Sequence, residues 1–153
     1  MNSAFVRDLA YGQGFESIIL EWAKIKYPNA ILIEGSFKDY DIDASPSLLE
    51  CKFDYKSRKT PNIVIEFEDR GKPSGIAVTK ATHWIHCFWY NDWVVATASI
   101  EIWKEIIKEV DVVGGGDELS TLMYRVPKDL ILRNESVSII PLSRISVRCT
   151  TGS

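Results

Sequence analysis

The stretch Asp39-Tyr40-Asp41-Ile42-Asp43-Ala44-Ser45-Pro46-Ser47-Leu48-Leu49-Glu50-Cys51-Lys52 decides how this chain is read. Side chains of an extended strand alternate between two faces, so Asp39, Asp41 and Asp43 are expected together on one face. Glu50 and Lys52 share a face by the same rule, and Cys51 points away from them. A turn at Pro46-Ser47 would fold the two segments into an antiparallel pair and set the aspartates against Glu50 and Lys52. The result would be an acidic, cation-binding pocket with a lysine at its rim.

Upstream, residues 12 to 27 carry Phe15, Ile18, Ile19 and Trp22 at the spacing of an amphipathic helix, with Ile25 or Tyr27 completing the stripe. Pro28-Asn29 stops it, and Glu16 lies near its start, beside the apolar face. Ala30 to Glu34 reads as a short strand, residues 38 to 44 as the aspartate strand, and Leu48 to Phe53 as the next. Downstream, Asp54 to Pro61 is a polar loop bearing Lys56, Arg58 and Lys59. Asn62 to Glu68 alternates as a strand with Glu66 and Glu68 on one face, and Arg70 to Gly75 is a turn carrying Arg70 and Lys72.

Ile76 to Ala81 has room for one or two helical turns. His83 to Tyr90 and Trp93 to Thr97 pair through a hairpin turn at Asn91-Asp92. Ser99 caps a helix over Ile100 to Val110. Gly114 to Gly116 reads as a hinge, because no Lys-Ser/Thr pair follows to make a phosphate loop. Short extended pieces at 123–127 and 137–141 flank a turn of helix at 128–130. This order predicts an α/β (α+β) fold, a mixed β-sheet flanked by helices.

The 153 residues suit one domain, with its core motifs at about 12–90 and an elaboration at about 91–153. The net charge of −3 argues against a protein that holds nucleic acid by charge alone. Contact would need a local basic patch, metal ions among acidic ligands, or a dimer that pools two patches. No apolar run approaches a membrane span, and Met1 to Asp8 lacks a signal-peptide layout. Three widely spaced cysteines, Cys51, Cys87 and Cys149, speak against a disulfide framework and for a reducing cytoplasm.

A helical Glu16, then Asp41 on a strand, then Glu50-Cys51-Lys52 on the next strand resembles the PD-(D/E)XK nuclease superfamily. Asp41 stands nine positions before Glu50, across a turn. Gly71-Lys72-Pro73-Ser74-Gly75-Ile76 leading into an aromatic strand is similar to small phage-encoded nucleases of that group. The resemblance implies a restriction-endonuclease-like core, made of a helix, a strand meander, a helix and a further strand. It implies a site of Glu16, Asp41, Glu50 and Lys52, with Asp41, Glu50 and the Cys51 backbone carbonyl on Mg²⁺, Mn²⁺ substituting. Asp43 shares the face of Asp41 and is open as the alternative ligand, as is the choice between one and two ions.

These residue types suit that chemistry. Mg²⁺ takes one or two carboxylates and fills its remaining positions with water and substrate phosphate, and it acidifies a bound water. Lys52 could orient that water or offset charge on the phosphate, and Glu16 would hold a metal-bound water or a second ion. The expected activity is a Mg²⁺-dependent deoxyribonuclease, an endonuclease in preference to an exonuclease; branched or structured DNA is one candidate substrate, and strandedness, base preference and the choice of RNA stay open. Lys56, Arg58, Lys59 and Lys72 are the candidate phosphate contacts. A homodimer would supply two cleavage sites, and the setting would be the cytoplasm of a bacterial or phage-infected cell.

Plainer readings stand beside each of these. Glu50 and Lys52 could be a surface ion pair of little consequence, and Glu16 would complement the helix dipole in any case. The basic loops could be solvated. Trp84, Trp89, Trp93 and Trp103 read as core or dimer contacts in preference to a base-stacking platform. His83 and His86 point to opposite faces, which disfavours a shared metal. At the level of the whole protein, the rivals are a non-catalytic nucleic-acid-binding or assembly module that retains the fold, and an unrelated interaction protein with a chance Glu-x-Lys.

Overall fold

Phe15 and Ile19 recur at helical spacing and are fully buried, and Gln13–Lys26 forms helix α1 around them. The computed structural model describes residues 13–36, 38–116 and 119–145. Cys149 lies outside the described residues. Strands β1 (Ile31–Leu32), β2 (Ile42–Ala44) and β3 (Ser47–Phe53) follow α1 as an antiparallel meander.

The aspartate strand is shorter than the sequence suggests. Asp39 lies in an exposed bend whose carbonyl accepts from Lys80 N, so it does not share a strand face with Asp43. Aspartate is a poor strand former. At Asp41 the side chain, rather than a continued ladder, takes the next β3 amide.

The 3₁₀ turn Tyr55–Lys59 leads into β4 (Asn62–Asp69), which runs on through the edge strand β5 (Lys72–Pro73) and the 3₁₀ turn Gly75–Ala77 to β6 (His83–Trp89). The helix expected at Ile76 to Ala81 is only that short turn. It presses so closely on β4 that a Cβ at Gly75 would stand 2.1 Å from the Glu66 carbonyl oxygen, and Gly75 has φ +51°. β6 returns parallel to β3, pairing Glu50 with Trp84 and Lys52 with His86.

β7 (Trp93–Ser99) completes the hairpin with β6. Helix α2 (Ile100–Ile106) follows, capped by Ser99, whose side chain accepts from Ile102 N, and a 3₁₀ turn at Ile107–Glu109 prolongs it. β8 (Asp111–Gly115), β9 (Thr121–Pro127), α3 (Lys128–Leu132) and β10 (Ser138–Pro141) come next, and residues 142–145 are helical. Gly114 and Gly115 are not a hinge. They pair with Leu122 and Thr121 as the end of β8, and the missing side chain at Gly115 leaves room for Met123.

The strands make a six-stranded sheet ordered β1-β2-β3-β6-β7-β10 and a four-stranded sheet ordered β5-β4-β9-β8. Phe15 and Ile19 of α1 pack with Ile42, Cys51, Ile85 and Val95 on one face of the large sheet. Trp84, Phe88 and Ala96 of the other face pack with Ile63, Ile65 and Val126 of the small sheet and Trp103 of α2. Glu66 and Glu68 do not share a face. A bulge at Phe67 pairs them with Met123 and Leu122, and those neighbours point oppositely.

Candidate active site

Register builds the site. Ile42 pairs with Leu49, and Asp41 N donates to Leu49 O at 2.9 Å, so one further step sets Asp41 across from Glu50. Regular β2 pairing has ended there, which leaves the Cys51 amide without a backbone partner on that side. The Asp41 carboxylate takes its place, with Oδ2 accepting from Cys51 N at 2.7 Å. The N–H and C=O of a strand residue point to the same side, so the Cys51 carbonyl is directed toward Asp41 as well. Asp43 is turned elsewhere, its carboxylate accepting from the amide and hydroxyl of Ser45 in the β2–β3 turn.

Asp41 is only 4% exposed. Its Oδ1 lies 3.0 Å from Lys38 Nζ, and the same ammonium lies 3.4 Å from Glu16 Oε1 and 3.5 Å from the Ile33 carbonyl oxygen. Lys38 therefore ties α1 to the start of β2. Burial disfavours its charge, but the Asp41 and Glu16 carboxylates outweigh that and hold its pKa above the ordinary lysine value. Burial, then the Asp41 charge, raises Glu16 above an ordinary glutamate.

Glu50 is the most perturbed carboxyl here. Burial, then the negative charge of Asp41, pushes it up to about 7, against the opposing pull of Lys52. Lys52 Nζ sits 3.4 Å from Glu50 Oε1 and 5.8 Å from the centre of the Trp84 ring, while its side chain is 45% exposed at the rim. Cys51 turns into the core on the α1 face, and burial raises its thiol well above the ordinary range.

The structure thus gathers Glu16, Asp41, Glu50 and Lys52. Among the described residues, no group of three or more His, Cys, Asp or Glu side chains is drawn close enough to ring a metal ion. Asp41 and Glu50 each lean on a lysine instead. Mg²⁺ is satisfied by one or two carboxylates with oxygens from water and substrate. The Asp41–Glu50 pair with the Cys51 carbonyl is a donor set of that kind, and a cation would offset the negative potential that raises Glu50. A cleft of about 310 Å³ lined by Ile33, Glu34, Lys38, Asp39 and Tyr40 opens beside Lys38.

Lys56, Arg58 and Lys59 are exposed on one turn beyond the end of β3. Lys72 is exposed at the far end of β4, roughly 23 Å along that strand from its start, so it does not join their patch. His83 and His86 do face opposite ways, and His86 is buried in a network that the sequence gives little hint of. Trp84 Nε1 donates to His86 Nδ1 at 3.1 Å, which leaves the proton on Nε2, 3.3 Å from Asp54 Oδ2. Lys38 was also not singled out from sequence; its signal was a lone cation three residues before Asp41.

No protein-family model matches this chain, and no curated protein sequence matches it. Among the described residues, no helix is long and apolar enough to cross a membrane.

Proposed function

We propose that the protein is a divalent-metal-dependent deoxyribonuclease of the PD-(D/E)XK type, an endonuclease that hydrolyses phosphodiester bonds by water attack. The observation that carries this reading is the placement of Asp41 across from Glu50, with Lys52 on the Glu50 side and Glu16 tied to Asp41 through Lys38. The antiparallel β1-β2-β3 meander with β6 parallel to β3 also supports it. The crossover departs from the expected helix, because it builds β4 of a second sheet.

Asp41, Glu50 and the Cys51 carbonyl would hold the Mg²⁺ or Mn²⁺ ion. When bound, the ion supplies an acidified water and positive charge beside the scissile phosphate. Lys52 would donate from Nζ to a phosphate oxygen or to the attacking water, its exposed position giving substrate access. Glu16 would accept a hydrogen bond from water on the α1 side, and Lys38 would keep the Asp41 carboxylate in place.

One observation favours the alternative, a nucleic-acid-binding or assembly module with this fold: Lys38 and Lys52 already pair with Glu16, Asp41 and Glu50. Cleavage of supercoiled, single-stranded and branched DNA with Mg²⁺ or Mn²⁺ decides between them. Lys52→Ala and Asp41→Asn should each lower the rate by about 100-fold or more. A wild type that cuts none of these substrates would overturn the nuclease reading. Activity that survives both substitutions would move the site elsewhere.

A further inference from the structure

The turn Tyr55–Lys59 is pinned from within and bristles outward. Its one buried residue, Ser57, donates from Oγ to the Asp54 carbonyl at 2.6 Å and accepts there from Trp89 N at 2.9 Å. The Ser57 carbonyl accepts from the buried Lys128 Nζ at 2.7 Å. Tyr55, 46% exposed, and Lys56, Arg58 and Lys59 all face solvent, and the turn contains no acidic residue. On a chain of net charge −3 this is a local surplus of three cations in five residues.

The aromatic surroundings are as ordered as the turn. Tyr55 stacks on buried Trp93, with ring centres 6.4 Å apart and planes at 19°. Arg58 lies against two rings, 5.8 Å from the centre of Tyr55 and 5.7 Å from that of half-buried Trp89. Trp93 leans on Phe53 at 4.7 Å, and Phe53 on Phe15 at 5.7 Å, the residue next to Glu16. Along β3 the turn begins five residues past Glu50, at most about 17 Å away.

We propose that this turn is a platform for an unpaired nucleic-acid strand entering the candidate site. A base extends the Trp93–Tyr55 stack by one layer as the Arg58 guanidinium swings off the Tyr55 ring to pair a flanking phosphate through its planar fork, and Lys56 and Lys59 add point charges. A duplex keeps its base faces covered and offers Tyr55 nothing to stack on, so the platform selects strands with unpaired bases, whether DNA or RNA. The proposal rests on the nuclease reading for its purpose, though not for its test.

Fluorescence anisotropy without divalent cations measures binding of a labelled thymidine oligomer, a uridine oligomer and a duplex of equal length. Tyr55→Ala should weaken single-strand binding about tenfold and leave duplex binding nearly unchanged, Tyr55→Phe should keep the wild-type affinity, and Arg58→Ala should weaken single-strand binding by a similar factor. Lys56→Gln with Lys59→Gln should reduce the single-strand salt slope by about 1.4. The wild type needs no variant: its tryptophan emission should be quenched more by the oligomer than by the duplex, and Trp89→Phe should reduce the quench. Unchanged single-strand affinity in both Tyr55→Ala and Arg58→Ala, or an equal loss on duplex in Tyr55→Ala, would overturn the platform. Tyr55-dependent binding in a protein that cleaves nothing would overturn the nuclease reading and leave the platform standing.

Discussion

Burial and the Asp41 charge raise the Glu50 carboxyl to about 7 in the folded chain, well above its unfolded value near 4.5. Such a group binds protons more readily when folded, so its contribution to stability is present at acid pH and is lost as pH rises through about 7. Glu16, also raised, acts with the same sign. The metal-free protein should therefore lose up to about 3 kcal/mol between pH 5 and pH 8. Thermal unfolding across that window should show Tm falling for the wild type and falling less for Glu50→Gln. Mn²⁺ should recover more of the loss at pH 8 than at pH 5. A wild-type Tm that rises toward pH 8, or an unchanged slope in Glu50→Gln, would refute the account of this residue.

The turn at 55–59 shows how one element is held by groups outside it. Asp54 Oδ2 accepts from Val64 N at 3.1 Å and faces His86 Nε2, so a single carboxylate joins the end of β3 to β4 and β6. Asp54→Ala would leave a backbone donor and a buried imidazole without their acceptor, at a cost of roughly 2–4 kcal/mol. Asp54→Asn keeps an acceptor and should cost less. Urea unfolding checks both, and equal stabilities for wild type and Asp54→Ala would remove the network from the account. Alternation did not reveal this link, because polar side chains that serve distant backbone leave no periodic trace. The same limit applies to the bulge at Phe67, where one extra residue separates Glu66 from Glu68, and to Gly114-Gly115, where a partner strand makes a ladder out of hinge-like residues.

At the scale of the molecule, the large sheet is packed on both faces, and Trp103 joins its inner face to α2. Its indole is fully buried and donates from Nε1 to the Trp84 carbonyl at 2.9 Å, on the strand that pairs with Glu50. Trp103→Ala should cost about 3–5 kcal/mol, and Trp103→Phe, which keeps a ring but no donor, clearly less. A loss below about 1 kcal/mol in chemical denaturation would show that this layer does not support the sheet.

The sequence by itself determined α1, the meander around the Pro46 turn, the β6–β7 hairpin and the Ser99 cap. Each rests on short-range chemistry: helical spacing, strand alternation, turn residues and a hydroxyl that accepts from the first helical turn. It also brought Glu16, Asp41, Glu50 and Lys52 forward as one set, although periodicity could not separate Asp41 from Asp43. Tertiary structure decided that. Because β2 starts only at Ile42, the Cys51 amide is free for the Asp41 carboxylate, while Asp43 is drawn into its own turn. Only the folded chain could bring Lys38 between Asp41 and a helix that lies a loop and a strand earlier, or carry Lys128 to Ser57. Those contacts join residues far apart in sequence, and they are chosen by which faces become buried together. The stretch from Asp39 to Lys52 thus supplies the candidate side chains, and the packing around it selects which of its carboxylates come together.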